Sequence, residues 1–183
     1  MFNDLICTVK ILNESGFYMQ LEHKIVYLLL GSNLGDSRGI LNEAIRRINE
    51  QVGEVFSRSA FYATAAWGNK DQPPFLNLAI GLKTGKTALE VLTLVLGIEE
   101  ALGRVRIDKW GARLIDIDLI LYGEEIINDG ERLQIPHPFM HVRRFVLEPL
   151  AEIAAEVTHP LLQQNVLSIL SDLKDNLTVT KLS

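Results

Sequence analysis

The chain is almost without cysteine: Cys7 is the only one among 183 residues. One thiol forms no internal disulfide and no cysteine zinc centre, so it reads as a plain buried or mobile thiol. Long apolar runs are missing too. None approaches the roughly 20 residues of a membrane span. The first ten residues lack the basic region and long apolar stretch of a secretory leader. No membrane partner is therefore expected, and the cytoplasm is the expected location. Nor is positive charge in excess. Eighteen Lys and Arg stand against 23 Asp and Glu, for a net charge of -5. That balance argues against a nucleic-acid partner or an anionic surface. A phosphate-bearing ligand would have to be met by a local cluster of Arg, Lys or metal. Internal repeats and low-complexity tracts are absent as well.

What is present suits one domain with a real core: 48% of residues are apolar and 22% charged. Residues 1–24 show no clean period and read as an N-terminal appendage of unknown role, with Met19 a candidate functional start. The alternative is a short strand added to a sheet edge. "KIVYLLLGSN" is a near-continuous apolar run, the mark of a buried strand. Asp36 or Ser37 can cap a helix over about 37–52, with Gly53 as its stop. "EVFSRSAFYAT" suggests a second strand and residues 75–83 a third, with Leu76, Leu78, Ile80 and Leu82 on one face and Asn77 on the other. Thr87 and Glu90 form a capping box for a helix to Leu102. "LIDIDLILY" is a fourth strand. The chain turns sharply around Pro136 and Pro138. Residues 140–155 and 163–174 read as helical, and a tail after Asp175 as frayed. The expected fold is α+β: a single ferredoxin-like domain over 25–175, mostly antiparallel sheet covered by helices, with 176–183 as a C-terminal tail.

Asp116 and Asp118 carry the strongest chemical signal. Residues two apart on a strand face the same way, about 7 Å from each other. Ile115, Ile117, Leu119 and Leu121 take the opposite face. Two carboxylates side by side on a half-buried strand repel and lose solvation, and a divalent cation relieves both costs. Oxygen-only ligands suit Mg²⁺, which also takes substrate phosphates. The competing reading is a solvated face of an edge strand. Just upstream, Arg104, Arg106, Lys109 and Arg113 form a basic loop. Metal beside Arg is the arrangement that phosphoryl transfer requires, because its chemistry is mostly positioning and charge neutralisation. An ordinary solvated loop pairing with the two acids is the alternative. Trp67 and Trp110 lie in loops, and aromatic faces can sandwich a planar heterocycle. Asn77 can read a ring's amide edge. His137 and His141 are four apart, but the flanking prolines interrupt any helix through them and no third zinc ligand is evident. "GSNLGD" holds the position of a phosphate loop without its Gly-Lys-Ser/Thr ending.

Taken in order, "GSNLGD", "SAFYAT…DQPPFLN", "LGRVR…WGARLIDIDLILYG" and "IPHPFMHVRRFVLEPL" resemble the 6-hydroxymethyl-7,8-dihydropterin pyrophosphokinase family of folate biosynthesis, over about 25–172. The resemblance implies transfer of the β,γ-pyrophosphate of ATP to the pterin's hydroxymethyl oxygen, with AMP leaving. It implies two Mg²⁺ ions on Asp116 and Asp118. By motif position, Arg104, Arg106 and Arg113 would hold phosphates or stabilise the moving group. Glu99, Lys109, Trp110, Arg132, Leu133, His137 and Arg143 would help bind ATP. Thr64, Ala65, Trp67, Phe75, Asn77, Trp110 and Phe145 would form the pterin pocket. A monomer acting on small molecules alone is implied. Departures from the family pattern are Ala112 for Pro, Leu114 for Thr, Phe75 for Tyr and Leu96 for Gln, with a loop at 106–110 one residue short. None touches the carboxylates. Two rivals share an Asp-x-Asp strand or its fold: a nucleotidyltransferase, which would release pyrophosphate, and a non-catalytic regulatory domain, for which Mg²⁺ would be irrelevant.

Overall fold

The computed structural model describes residues 6–12, 18–64, 73–104 and 113–182. In chain order these form β1 (Ile6–Leu12), β2 (Tyr18–Ser32), α1 (Ser37–Gln51), β3 (Glu54–Arg58), β4 (Phe61–Thr64), β5 (Phe75–Thr84), α2 (Ala88–Ala101) and β6 (Asp116–Tyr122). Next come β7 (Ile127–Asp129), β8 (Leu133–Ile135), a 3-10 turn (Met140–Val142), α3 (Arg144–Ala154), β9 (Thr158–His159), β10 (Gln164–Asn165), α4 (Val166–Ser171) and β11 (Val179–Leu182). All described strand pairs are antiparallel. The expected α+β class, an antiparallel sheet covered by helices, is what the chain adopts.

β2 is the spine of the main sheet. β5 runs along one side of it, and β6 pairs with its C-terminal half on the other. Residues 25–30 of β2 are buried on both faces, which is why the sequence shows no apolar–polar alternation there. Val26, Leu28 and Leu30 enter one core with Leu41 and Ile48 of α1 and Val91, Val95 and Ile98 of α2. Ile25, Tyr27 and Leu29 enter a second core with Val146, Leu147 and Leu150 of α3 and Ile169 of α4. Each such fully buried aliphatic side chain contributes about 1.5–3 kcal/mol.

The helix starts follow the sequence. The Asp36 side chain caps α1 by accepting from the Gly39 amide at 3.0 Å, and Thr87 with Glu90 closes the capping box of α2. Gly53 is required by close approach: a Cβ there would sit 2.2 Å from the Lys83 carbonyl oxygen.

Several expectations need correction. The second strand is two, β3 and β4, both paired to β5. The break falls at Ser59, whose amide and hydroxyl bind the backbone of Ala79 instead of continuing the ladder. Leu121 does not share a face with Ile117 and Leu119. A register shift opposite Tyr27 and Leu28 inserts an extra residue into β6, so Leu121 joins the second core. The helix over 140–155 is a 3-10 turn, an extended Arg143 and then α3. The helix over 163–174 is only α4, because Gln164 and Asn165 pair with β9 and Asn165 then caps the helix from outside. The N-terminal segment adds an edge strand, β1, on residues 18–24 of β2, which was the alternative to a bare appendage. The tail is not frayed: β11 pairs with β4.

Candidate active site

The strand registers place the acids. Asp116 lies opposite Gly31, which lies opposite Asn77, which lies opposite Tyr62. Residues directly opposite in antiparallel strands share a face. Asp116, Asn77 and Tyr62 therefore stand in one row across the sheet. Asp118 is on the same face one step along, in the row of Leu29 and Ala79. Phe75 and Thr64, opposite each other, complete that face on the other side of Asn77. α3 and α4 cover only part of this face, and Arg143 and Phe145 sit at the start of α3, where the cover ends.

At the Asn77 end of this face the side chains are held in place. Asn77 and Thr64 are both buried, and the Asn77 Nδ2 donates to Thr64 Oγ1 at 3.0 Å. This bond fixes the orientation of the Asn77 amide and directs its oxygen toward Gly31.

A charge network surrounds Asp116. Arg104 Nη1 lies 2.8 Å from Asp116 Oδ1 and also pairs with Glu99, while Arg113 binds the other oxygen of Asp116. Glu99 is buried at the end of α2 and accepts the Ile117 amide at 2.7 Å. Burial pushes the Glu99 carboxyl up, and the Arg104 charge opposes that shift. Burial also works against the Arg104 guanidinium, but Asp116 and Glu99 outweigh it and hold the proton more firmly. Asp118 is pushed up to about 7, first by burial and then by the neighbouring Asp116 charge, with Arg143 and Arg113 pulling the other way. Burial draws the Arg143 guanidinium down, and its plane lies over the rings of Phe139 and Phe145. His137 is lowered to about 4 by burial and by the Arg143 charge, so it is neutral at physiological pH; its Nδ1 accepts the Phe139 amide at 3.2 Å, which leaves Nε2–H as a donor.

The residues around the aspartates fit a hard divalent cation. Two carboxylates share a face, burial and then the Asp116 charge push the Asp118 carboxyl up, and the donors are oxygens. Among the described residues, no group of three or more His, Cys, Asp or Glu side chains could hold a metal by itself. Such a cation would need oxygens from elsewhere, as a bound phosphate chain provides.

The structure brings together Thr64, Phe75, Asn77, Glu99, Arg104, Arg113, Asp116, Asp118, His137, Arg143 and Phe145 around one sheet face and its edge. Arg132 stands apart on the β7–β8 hairpin, exposed, with Asp129 as its ion partner at 3.9 Å. Leu133 is buried in the first core, so a ligand could meet only its backbone. Ala65, Trp67, Arg106, Lys109 and Trp110 lie outside the described residues.

Asn33 was missed by sequence reasoning. Its Oδ1 accepts the Arg113 amide at 2.7 Å, its own amide donates to the Arg113 carbonyl at 3.0 Å, and its Nδ2 donates to the Pro73 carbonyl at 3.2 Å. One buried side chain thus ties the β2 end to both Pro73 and Arg113. The signal in the sequence is an Asn directly after a buried strand, within "GSNLGD".

A profile described as 7,8-dihydro-6-hydroxymethylpterin-pyrophosphokinase (HPPK) matches residues 27–155. A Methylorubrum extorquens protein named 2-amino-4-hydroxy-6-hydroxymethyldihydropteridine pyrophosphokinase is 47% identical over 132 residues, 72% of this chain and 83% of that one. A Bacillus subtilis protein of the same name is 40% identical over 136 residues, 74% of this chain and 81% of that one. Among solved structures, wild-type Plasmodium falciparum HPPK-DHPS superposes with a TM-score of 0.65 at 16% identity, over 80% of this chain and 44% of that one. At that identity the likeness concerns the fold alone, and the chain spans less than half of that longer protein.

Among the described residues, no helix is long and apolar enough to cross a membrane.

Proposed function

The chain belongs to the 7,8-dihydro-6-hydroxymethylpterin-pyrophosphokinase family, and from that premise we propose that Asp116 and Asp118 hold Mg²⁺ on the phosphate tail of ATP. The enzyme transfers pyrophosphate from ATP to 6-hydroxymethyl-7,8-dihydropterin, giving AMP and the pterin diphosphate in folate biosynthesis. The observation that carries the residue assignment is the shared sheet face: both aspartates look out beside Arg104, Arg113 and Arg143, two strands from Asn77 across Gly31 of β2.

In the transfer, the pterin's hydroxymethyl oxygen forms a bond to the β-phosphorus. The bond from that phosphorus to the AMP oxygen breaks, and the hydroxyl proton is lost. Asn77, fixed by Thr64, reads the amide edge of the pterin, and Phe75 and Phe145 bound its ring. By motif position, Trp110 would stack beside it, and Ala65 and Trp67 would belong to the wall with Thr64. Arg113 and Arg104, steered by Glu99, bind the phosphate oxygens, together with Arg106, Lys109 and Arg143. His137, whose Nδ1 is held by the Phe139 amide, donates a hydrogen bond from Nε2 to a phosphate or ribose of the nucleotide, and Arg132 and Leu133 lie near the nucleotide. A divalent pair held by the two carboxylates supplies charge neutralisation on the phosphates and alignment of the attack. Asp116 and Glu99 already offset Arg104 and Arg113, and divalent cations would add positive charge for the triphosphate at this point.

Residues 25–175 form the catalytic unit, and the enzyme works as a cytoplasmic monomer on small-molecule substrates. Incubation with ATP, Mg²⁺ and the hydroxymethyl dihydropterin tests the reading. AMP and the pterin diphosphate are expected. Release of pyrophosphate instead would point to nucleotidyl transfer.

A further inference from the structure

The segment that follows α4 runs across both walls of the site. At residue 175 it meets α3. The Asp175 Oδ2 accepts the amide of Arg144 at 2.8 Å, and the Asp175 carbonyl accepts Arg144 Nε at 2.9 Å. Arg144 is the first residue of α3, and the Arg143 side chain does not cap that helix. Asp175 therefore supplies the missing cap and an anion at the positive helix end. Arg143 and Phe145 flank the capped residue.

Four residues later the same segment becomes β11. It pairs with β4 in the register Val179 to Thr64 and Lys181 to Tyr62. Without β11, the four-residue β4 would be the sheet edge. β4 carries Thr64, which orients Asn77. One carboxylate of α3 joins these parts. Glu152 accepts the Tyr62 hydroxyl at 2.7 Å and the Ala60 amide at 3.2 Å, and pairs with Lys181 at 3.1 Å.

We propose that residues 175–182 are a positioning strap that sets the spacing between the two walls of the pterin site, β4 with Thr64 and the start of α3 with Phe145. The strap lies beyond residues 27–155, which the family model matches. The inference rests on the placement of the pterin between Asn77 and Phe145 given above. It acts through those residues and touches no reacting atom.

The strap is tested by ending the chain after Leu177, which removes β11 and keeps the Asp175 cap. The KM for the hydroxymethyl dihydropterin is expected to rise about tenfold, with kcat and the KM for ATP within about twofold. Asp175→Ala in the full chain is expected to raise the KM of both substrates, because Arg143 and Phe145 flank the capped residue at the start of α3. Asp175→Asn, which keeps an acceptor for the Arg144 amide, is expected to recover most of that loss. A merely structural strap would lower the thermal midpoint and the folded fraction, and hence kcat, at unchanged KM. Should the shortened chain fail to fold, Lys181→Glu, which sets a like charge against Glu152, reads the same pterin KM in the full chain. An unchanged pterin KM in the strap variants overturns the proposal. Asn77→Ala separates the two readings. If it raises the pterin KM while the strap variants do not, the strap alone falls. If it too leaves the KM unchanged, the pterin placement falls and the strap with it.

Discussion

A Cβ on Gly31 would lie 2.8 Å from the Asn77 Oδ1, closer than real Cβ atoms come to an oxygen. The glycine between Asp116 and Asn77 in their cross-strand row is therefore the space into which the Asn77 amide oxygen fits. Gly31→Ala should push that amide off its bond to Thr64. The KM for the pterin alcohol should rise about tenfold, about 1.4 kcal/mol of binding, with a much smaller change in the KM for ATP. Steady-state kinetics with each substrate varied in turn measures the split.

Asn33→Ala removes the clasp between Arg113 and Pro73. The Arg113 amide loses its acceptor, at a cost of about 1–3 kcal/mol, and the Pro73 carbonyl loses a donor. Urea unfolding should show that loss. Because Arg113 then holds Asp116 less well, kcat should fall by more than the folded fraction does.

Glu99 separates a structural role from an electrostatic one. Glu99→Ala leaves the buried Ile117 amide without an acceptor and should cost about 1–3 kcal/mol. Glu99→Gln keeps an acceptor for that amide and loses only the charge facing Arg104. Its unfolding midpoint should stay near the parent's while kcat falls about tenfold, since Arg104 is no longer steered.

Stability should fall with acidification through His159. Its ring is buried, its Nδ1 accepts the amides of Leu161 and Leu162, and burial followed by the nearby His141 holds its pKa below the ordinary value. A lowered folded pKa means that folding favours the neutral ring. The stabilisation is complete above the unfolded pKa of about 6.5 and is lost as pH falls through the folded value. Thermal midpoints between pH 7.5 and 5 should therefore drop more steeply in the parent than in His159→Asn.

Much of this was legible in the sequence because it depends on short-range periodicity. The unbroken apolar run of β2, the capping box of α2 and the i, i+2 aspartates of β6 are local patterns, and each has the predicted element beneath it. What escaped depends on partners distant in sequence. The bulge that turns Leu121 is fixed by the register against Tyr27 and Leu28. β11 reads as a polar tail because only its partner β4 gives it a place in the sheet. Asn33, Glu152 and Asp175 look like surface polar residues until the residues about 30 to 90 positions away that they bind are known.

The central claim is that Asp116 and Asp118 bind the cations that carry the phosphate tail. The most direct measurement is calorimetric titration of a non-hydrolysable ATP analogue, with and without Mg²⁺, into the parent and into Asp118→Asn, with AMP formation followed in parallel. The account predicts that Mg²⁺ tightens binding to the parent, that the variant loses this gain, and that its AMP formation falls at least about 100-fold while its fold is kept. An undiminished Mg²⁺ effect with undiminished AMP formation in Asp118→Asn would contradict it.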